Sequence, residues 1–191
     1  ALSYGLAMVP QELNLIPELT VAENIFLGIR KVKKGLPRVD WKWIFLHADE
    51  YLKKVGADID VKAKAGLLSV ANQQLIQVAR ALAYEPDVLL MDEPFGALDA
   101  QTKKYMQGEL VRIWERLRKT VIFVTHSVIE ATFLSDIIVV MTARPGTVKH
   151  IFESSITRPR DYVSDAYISL RKRVLTSLEE EVDKEIRMDR P

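Results

Sequence analysis

Apolar residues along this chain follow two rhythms. Short unbroken runs, each stopped by a turn-forming residue, alternate with longer stretches where apolar positions recur every three or four residues. The runs predict buried strands and the longer stretches amphipathic helices. Gly5 to Val9, stopped by Pro10, is the first such strand. Thr20-Val21-Ala22-Glu23 has the spacing of a capping box and predicts a helix from Val21 to about Gly28. Lys31 to Arg38 is basic, holds Gly35 and Pro37, and reads as a solvated loop. Asp40 then caps a helix ending at Gly56, a small helical region packed by Trp41 and Trp43.

Asp58 to Gly66 is irregular, and Ser69 caps a helix from Val70 to Tyr84 whose Leu75, Val78, Ala79 and Leu82 form an apolar stripe. Val88 to Asp92 is a buried strand, and Asp99 caps a helix carrying Met106, Leu110, Ile113, Trp114 and Leu117. Thr120 to Thr125 is the next buried strand, and Ser127-Val128-Ile129-Glu130 a second capping box for a short helix to Leu134. Asp136 to Met141 is another strand, and a turn at Arg144-Pro145-Gly146-Thr147 leads to a last strand near Val148 to Phe152. From Ser164 the chain is helical, with Leu170, Val174, Leu178 and Val182 on one side. Strand–helix–strand alternation between Val88 and Met141 argues for βαβ units and a parallel sheet.

Composition narrows the function classes. At 191 residues, 48% hydrophobic and 28% charged, the chain has the make-up of a globular domain with a sizeable core. A formal charge of +1 gives no general attraction to nucleic acid or acidic membranes. Cysteine is absent, which excludes disulfides and thiolate chemistry. No apolar run approaches the ~20 residues that span a bilayer, so work at a membrane goes through a partner.

The chemistry concentrates in Val88-Leu89-Leu90-Met91-Asp92-Glu93-Pro94, followed by Phe95-Gly96-Ala97-Leu98-Asp99. Four apolar residues deliver two adjacent carboxylates to the C-terminal edge of a strand, where ligands bind in parallel sheets. One acid there can hold magnesium through water while its neighbour polarises a water for attack on a phosphate. His126 also follows a buried strand directly, whereas His47 and His150 read as structural.

These residues resemble the ATP-binding subunits of ABC transporters. Asp92-Glu93 looks like that family's Walker B motif, Gly96-Ala97-Leu98-Asp99 its D-loop, His126 its switch histidine and Gln11 its Q-loop glutamine. Leu68-Ser69-Val70-Ala71-Asn72-Gln73-Gln74 resembles the LSGGQ signature, and all five stand in the family's order. The resemblance implies ATP and Mg2+ as cofactors. It casts Glu93 as general base or water-positioning acid, Asp92 as magnesium holder and His126 as γ-phosphate contact. Gln11 would sense metal and attacking water. Ser69, Val70, Ala71 and Asn72 would face the phosphates of ATP on an opposite subunit, with Asp99 in the D-loop beside them.

Two departures stand beside the matches. The family's Gly-x-x-x-x-Gly-Lys-Ser/Thr loop is absent, since none of the eight glycines is followed by lysine. The expectation is a C-terminal portion of an ATPase that does not hydrolyse ATP alone and leaves apolar sheet edges exposed. The resemblance is also split: Met8 to Pro94 looks like ribose-type sugar importers, while the part from Pro94 onward, including Ala143-Arg144-Pro145-Gly146, resembles nitrate, sulfonate and taurine importers. Two related genes joined near Pro94 would explain this; the alternative is one branch carrying both sets of features. Val70 and Ala71 also replace the signature's usual glycines, Asn72 its glutamine, and Ser127 a common aspartate.

The expected fold is α/β, a partial P-loop NTPase of ABC type whose parallel sheet carries an inserted helical subdomain. The expected segments are a core start with the Q-loop (1–19), a helical subdomain with the signature (20–85), a core with Walker B, D-loop and switch histidine (86–160), and a helical tail (161–191). The implied function is ATP hydrolysis driving import of a small polar solute. Implied partners are membrane permease subunits, a second ATP-binding domain in a head-to-tail dimer and, indirectly, an external solute-binding protein. The implied location is the inner face of the cell membrane, peripheral and cytoplasmic. The rival readings are a non-catalytic module that pairs with a permease or intact ATPase, and a soluble ABC ATPase acting on nucleic acid. The near-neutral charge counts against the latter.

Overall fold

In the computed structural model, which describes residues 4–29 and 39–188, β2 (Val88–Asp92) is the middle strand of a three-stranded parallel sheet. β1 (Leu6–Val9) pairs on one side with Val9 opposite Met91, and β3 (Thr120–Val124) on the other with Val124 opposite Asp92. Gly5 opens β1 at φ +68°, and its carbonyl accepts from Asp87 N (2.7 Å) and Val88 N (3.1 Å). A Cβ there would stand 2.4 Å from Asp87 Oδ2, so the start of β1 requires glycine for both backbone and space. The chain divides into two compact units, Ala1–Val124 and Thr125–Pro191, and each is described by itself.

Helices of the first unit begin where capping residues predict. Around α1 (Val21–Ile25), Thr20 Oγ1 accepts from Glu23 N (3.2 Å) and Glu23 Oε2 accepts from Thr20 N (2.8 Å), a complete capping box. The helix stops three residues short of Gly28 because Phe26 and the following residues tighten into turns ending at Gly28, φ +90°. α2 (Trp41–Lys54) is capped by Asp40, whose Oδ1 accepts from Trp43 N (3.2 Å). Trp43 packs edge-on to Phe26 and stacks on His47, whose Nδ1 meets Trp43 O at 2.8 Å; His47 is structural. Trp41 departs from expectation: it is 45% exposed and stacks on Phe45 instead of entering the core.

A 3-10 turn (Ala65–Leu67) leads to α3 (Val70–Leu82), capped by Ser69, with Leu75, Val78, Ala79 and Leu82 all buried. α4 (Ala100–Leu117) buries Met106, Leu110 and Ile113, with Trp114 and Leu117 half-buried. β3 is not the buried strand its composition predicts. It is an edge strand whose Val121 and Phe123 are half-buried, Phe123 against the Phe95 ring, while Ile122 and Val124 are exposed. The basic stretch read as a loop, Lys31 to Arg38, lies outside the described residues.

The second unit holds α5 (Val128–Leu134), the hairpin β4 (Ile137–Met141) and β5 (Val148–Glu153), and α6 (Asp165–Met188). Ile137–Met141 was expected in the parallel sheet; it pairs antiparallel with β5 instead. The short connection after Met141 dictates this, because a tight turn returns the chain antiparallel whereas a parallel neighbour needs a crossover. Thr142 closes the turn, its Oγ1 accepting from Thr147 N (2.9 Å) and donating to Pro145 O (2.6 Å).

Ile138 and Val140 face Leu170 and Val174 of α6. Beyond Val174 the expected stripe shifts by one position: Ser177 and Glu181 are buried where Leu178 is only half-buried, and the Val182 side chain lies outside those described. The opposing surface there is polar. Lys149 Nζ meets Ser177 O (2.9 Å), Glu180 Oε2 (2.8 Å) and Glu181 Oε1 (2.8 Å), and His150 Nδ1 meets Ser177 Oγ (2.8 Å).

Asn24 is fully buried; its Oδ1 accepts from Ile16 N (2.8 Å), and its Nδ2 donates to Ile16 O (3.0 Å) and Thr20 O (3.0 Å). Asn24→Ala leaves Ile16 N without its acceptor, while Ile16 O and Thr20 O keep the bonds from Leu19 N and Asn24 N, and should cost about 1–3 kcal/mol. Thr20→Ala removes one cap bond and should cost about 1 kcal/mol. Urea unfolding of both variants checks that order.

Candidate functional site

The C-terminal edge of the three-stranded sheet gathers three of the sequence's candidates. β1 ends at Val9 and is followed by Pro10 and Gln11; β2 ends at Asp92 and is followed by Glu93. Parallel pairing brings both ends to the same edge. Asp92 and Glu93 are half-buried and Gln11 is exposed. Glu93 N donates to Val124 O (2.9 Å), which carries the ladder one residue past β2.

The chain then turns sharply. Glu93 sits at φ +41°, a left-handed conformation uncommon outside glycine, and Gly96 N donates to Glu93 O (2.9 Å). Pro94 and Phe95 are buried, which anchors the turn from below. A Cβ on Gly96 would lie 3.3 Å from Glu93 O, 3.6 Å from Gln11 Nε2 and 3.8 Å from Glu93 Oε2. The Gln11 amide and the Glu93 carboxylate therefore both come within van der Waals reach of the same side of Gly96. A donor and a carboxylate brought together in this way suit a water held between them.

A second feature lies along the starts of α3 and α4. Ser69, Val70 and Ala71 share with Ala97, Leu98, Asp99, Gln101, Thr102 and Tyr105 an open groove of about 530 Å³. Ser69 Oγ accepts from Asn72 N (3.3 Å), and Gln73 Nε2 donates to Leu68 O (2.8 Å). Two helix N-termini at one groove give it partial positive character, offset by the Asp99 carboxylate. Asp99 is occupied by its own helix: Oδ1 accepts from Gln101 N (3.0 Å) and Thr102 N (3.1 Å), and Oδ2 from Thr102 Oγ1 (2.5 Å). The Thr102 hydroxyl, then the backbone amides, hold the Asp99 carboxyl below the usual carboxylate range.

His126 belongs to the second unit, exposed between Thr125 and Ser127. The second capping box is expanded: Ser127 Oγ accepts from Glu130 N (3.4 Å), Ser127 N donates to Thr125 Oγ1 (3.0 Å), and Thr125 Oγ1 donates to Glu130 Oε2 (2.6 Å). Among the described residues, no cluster of three or more histidine, cysteine, aspartate or glutamate side chains could hold a metal.

Sequence reasoning missed Tyr105, an exposed aromatic in the polar first half of α4. It also missed the groups that hold the segment after Gln11. Gln77 Nε2 donates to Glu12 O (2.9 Å) and Arg80 Nη1 to Asn14 O (2.9 Å), contacts that span more than sixty residues and leave no local trace.

The sequence model of the ABC transporter family matches residues 1–96, half of the chain. The chain belongs to the ABC transporter family. It is 43% identical over 180 residues to an ABC transporter ATP-binding protein of Methanocaldococcus jannaschii, covering 94% of this chain and 66% of that protein. It is 38% identical over 170 residues to the aliphatic sulfonates import ATP-binding protein SsuB of Bacillus cereus, covering 88% and 64%. The bicarbonate transport ATP-binding protein CmpC of Synechocystis is 40% identical over 176 residues, 90% of this chain and 26% of that one. These alignments run across Pro94. Among solved structures, cbiO1 of Clostridium perfringens, part of the ABC transporter complex cbiONQ, shares the fold. Its TM-score is 0.66 at 23% identity, covering 98% of this chain and 64% of that one. The chain thus spans just under two thirds of the length of its first relatives.

The Asp99 cap should respond to acid. A carboxyl held low stabilises fully above the ordinary aspartate range, and that contribution is lost as pH falls through the lowered value. Asp99→Ala should therefore be less stable than the parent at pH 7, and the gap should close in strong acid, as read by urea midpoints.

Proposed function

We propose that this chain supplies the Q-loop, signature, acid-pair and switch-histidine portion of the ATP-hydrolysing subunit of an importer. The observation that carries the reading is the convergence of Gln11 Nε2 and Glu93 Oε2 over Gly96 at the end of β2. Glu93, turned out of the strand at positive φ, orients the attacking water and takes its proton. Asp92 holds the cation through water, and Gln11 reports on both. With no cluster of three or more candidate side-chain ligands among the described residues, such a cation would rest mostly on phosphate oxygens and water, as is usual for magnesium. Bound Mg-ATP would supply the transferable phosphoryl group. Ser69 to Asn72 and the first-turn amides of α3 would receive a phosphate from a facing domain, with Asp99 fixing α4 beside them. His126 would contact the γ-phosphate.

The relatives' names support a small polar solute, sulfonate-like or bicarbonate-like, carried through a membrane permease. No helix among the described residues is long and apolar enough to cross a membrane, so in this reading the subunit sits peripherally, on a permease. A second ATP-binding domain faces the signature, a solute-binding protein acts indirectly, and the segments 1–19, 20–85, 86–160 and 161–191 keep their proposed roles.

The 191 residues contain no Gly-Lys phosphate loop, so on their own they should not turn over ATP. The second reading is a non-catalytic module that pairs with a permease or an intact ATPase. Phosphate release with Mg-ATP separates the cases. The chain alone should be inactive. With a polypeptide carrying the loop, turnover should appear and should fall at least ~100-fold with Glu93→Gln. Turnover by the chain alone, abolished by Glu93→Gln, would contradict its dependence on the loop. ATP-independent capture of an intact ATPase domain, without turnover, would favour the second reading.

A further inference from the structure

A buried arginine stands at the far end of the helix that follows His126. α5 is only seven residues long, too short to hold itself by propensity, so its two ends must be fixed from outside. At its start, Thr125 and Ser127, the two neighbours of His126, are bonded into the first turn through Glu130. Whatever moves α5 therefore moves the backbone on both sides of His126. At its end, carbonyls with no partner inside the helix must be satisfied. Arg160 Nη1 donates to Thr132 O (2.7 Å) and Phe133 O (3.1 Å), and Arg158 Nη2 donates to Leu134 O (2.6 Å). Tyr167, fully buried, adds its hydroxyl at 3.1 Å from Thr132 Oγ1.

Terminating a surface helix does not require this. A solvated lysine or a glycine ends most helices at little cost, whereas burying a guanidinium costs several kcal/mol of desolvation before its bonds are counted. Arg160 is 4% exposed, and the carboxylate facing it, Asp136, is 3.9 Å from Nη2 and already paired with Arg158 at 2.5 Å. Burial, then the Arg158 charge, press the Arg160 pKa downward. The arrangement is specific to arginine, since Nε donates to Ile156 O (3.3 Å) while Nη1 of the same planar group reaches the two carbonyls of α5.

We propose that Arg160, seconded by Arg158, is a positioning residue for His126. By clamping the last carbonyls of α5 it fixes the helix, and through Thr125 and Ser127 it fixes the backbone that presents the imidazole. The inference rests on His126 being the γ-phosphate contact for its functional meaning, but its geometry and its test do not.

The test is the long-range proton–nitrogen spectrum of the histidine rings, recorded on the full chain without nucleotide. Three histidines give three separable sets of signals. Arg160→Lys keeps the charge and loses the planar group that ties Ile156 O to the α5 carbonyls; it should shift or broaden the His126 signals by more than a linewidth while His47 stays in place. Lys149→Met provides the matched disturbance, because it loosens α6 in the same unit through Ser177, Glu180 and Glu181 without touching α5. It should move His150 and leave His126 alone.

An unmoved His126 in folded Arg160→Lys overturns the proposal. So does an equal response of His126 to Lys149→Met, which would mark Arg160 as a general stabiliser. If Arg160→Lys does not fold, Arg158→Lys, which loses the Nη2 bond to Leu134 O, is read by the same two criteria. Failure of the ATP reading shows separately, in the phosphate-release assay.

Discussion

The arrangement at the sheet edge depends on one constraint, the pairing of β2 with a parallel neighbour on each side. Val9 opposite Met91 and Asp92 opposite Val124 set the register, and the bond from Glu93 N to Val124 O extends it beyond the strand. A slip of one residue would exchange the faces of β2, burying Leu90 in place of Leu89 and Met91, and would turn Asp92 to the other side. Apolar burial along the strand thus fixes where the carboxylates stand. Chemistry at the edge is a consequence of packing behind it.

Beyond the sheet, the candidate groups are held by polar contacts to helices, most of them at helix ends. Gln77 and Arg80 on α3 take the carbonyls of Glu12 and Asn14, just after Gln11, while Asn24 secures Ile16. The same α3 is capped by Ser69, so the signature-like turn and the segment after Gln11 are tied to one helix. In the second unit, caps and buried arginines do the corresponding work for α5. In both places the backbone next to a candidate residue is secured by side chains distant in sequence.

Local chemistry made part of this legible in the sequence. Thr20, Asp40, Ser69, Asp99 and Ser127 each announce a helix start, because a side-chain oxygen satisfying an orphan amide leaves a local signature. Val88 to Asp92 was equally plain. The partner of Ile137–Met141 was not, since an apolar run looks the same in parallel and antiparallel pairs and only the short turn after Met141 distinguishes them. The exposure of β3 was hidden for a similar reason: composition marks a strand but not whether it stands at an edge.

The stripe on α6 misled because Ser177 and Glu181 are buried against Lys149 and His150, so polar complementarity displaced the apolar period. Arg160 carries no local sequence signal, because its α5 partners Thr132 and Phe133 lie 28 and 27 residues away. At the sheet edge, motifs identified Gln11, Asp92 and Glu93. Only the folded chain reveals that the Gln11 amide and the Glu93 carboxylate meet beside Gly96.

An interproton contact tests that convergence most directly. The side-chain amide protons of Gln11 should show nuclear Overhauser contacts to the α-protons of Gly96 in the folded chain, because a Cβ at Gly96 would stand 3.6 Å from Gln11 Nε2. Observing them alongside the β1–β2 cross-strand contacts would establish that the parallel register brings the glutamine to the acid pair. Cross-strand contacts without any from Gln11 to Gly96 would contradict it, leaving a correctly paired sheet whose edge does not form this site.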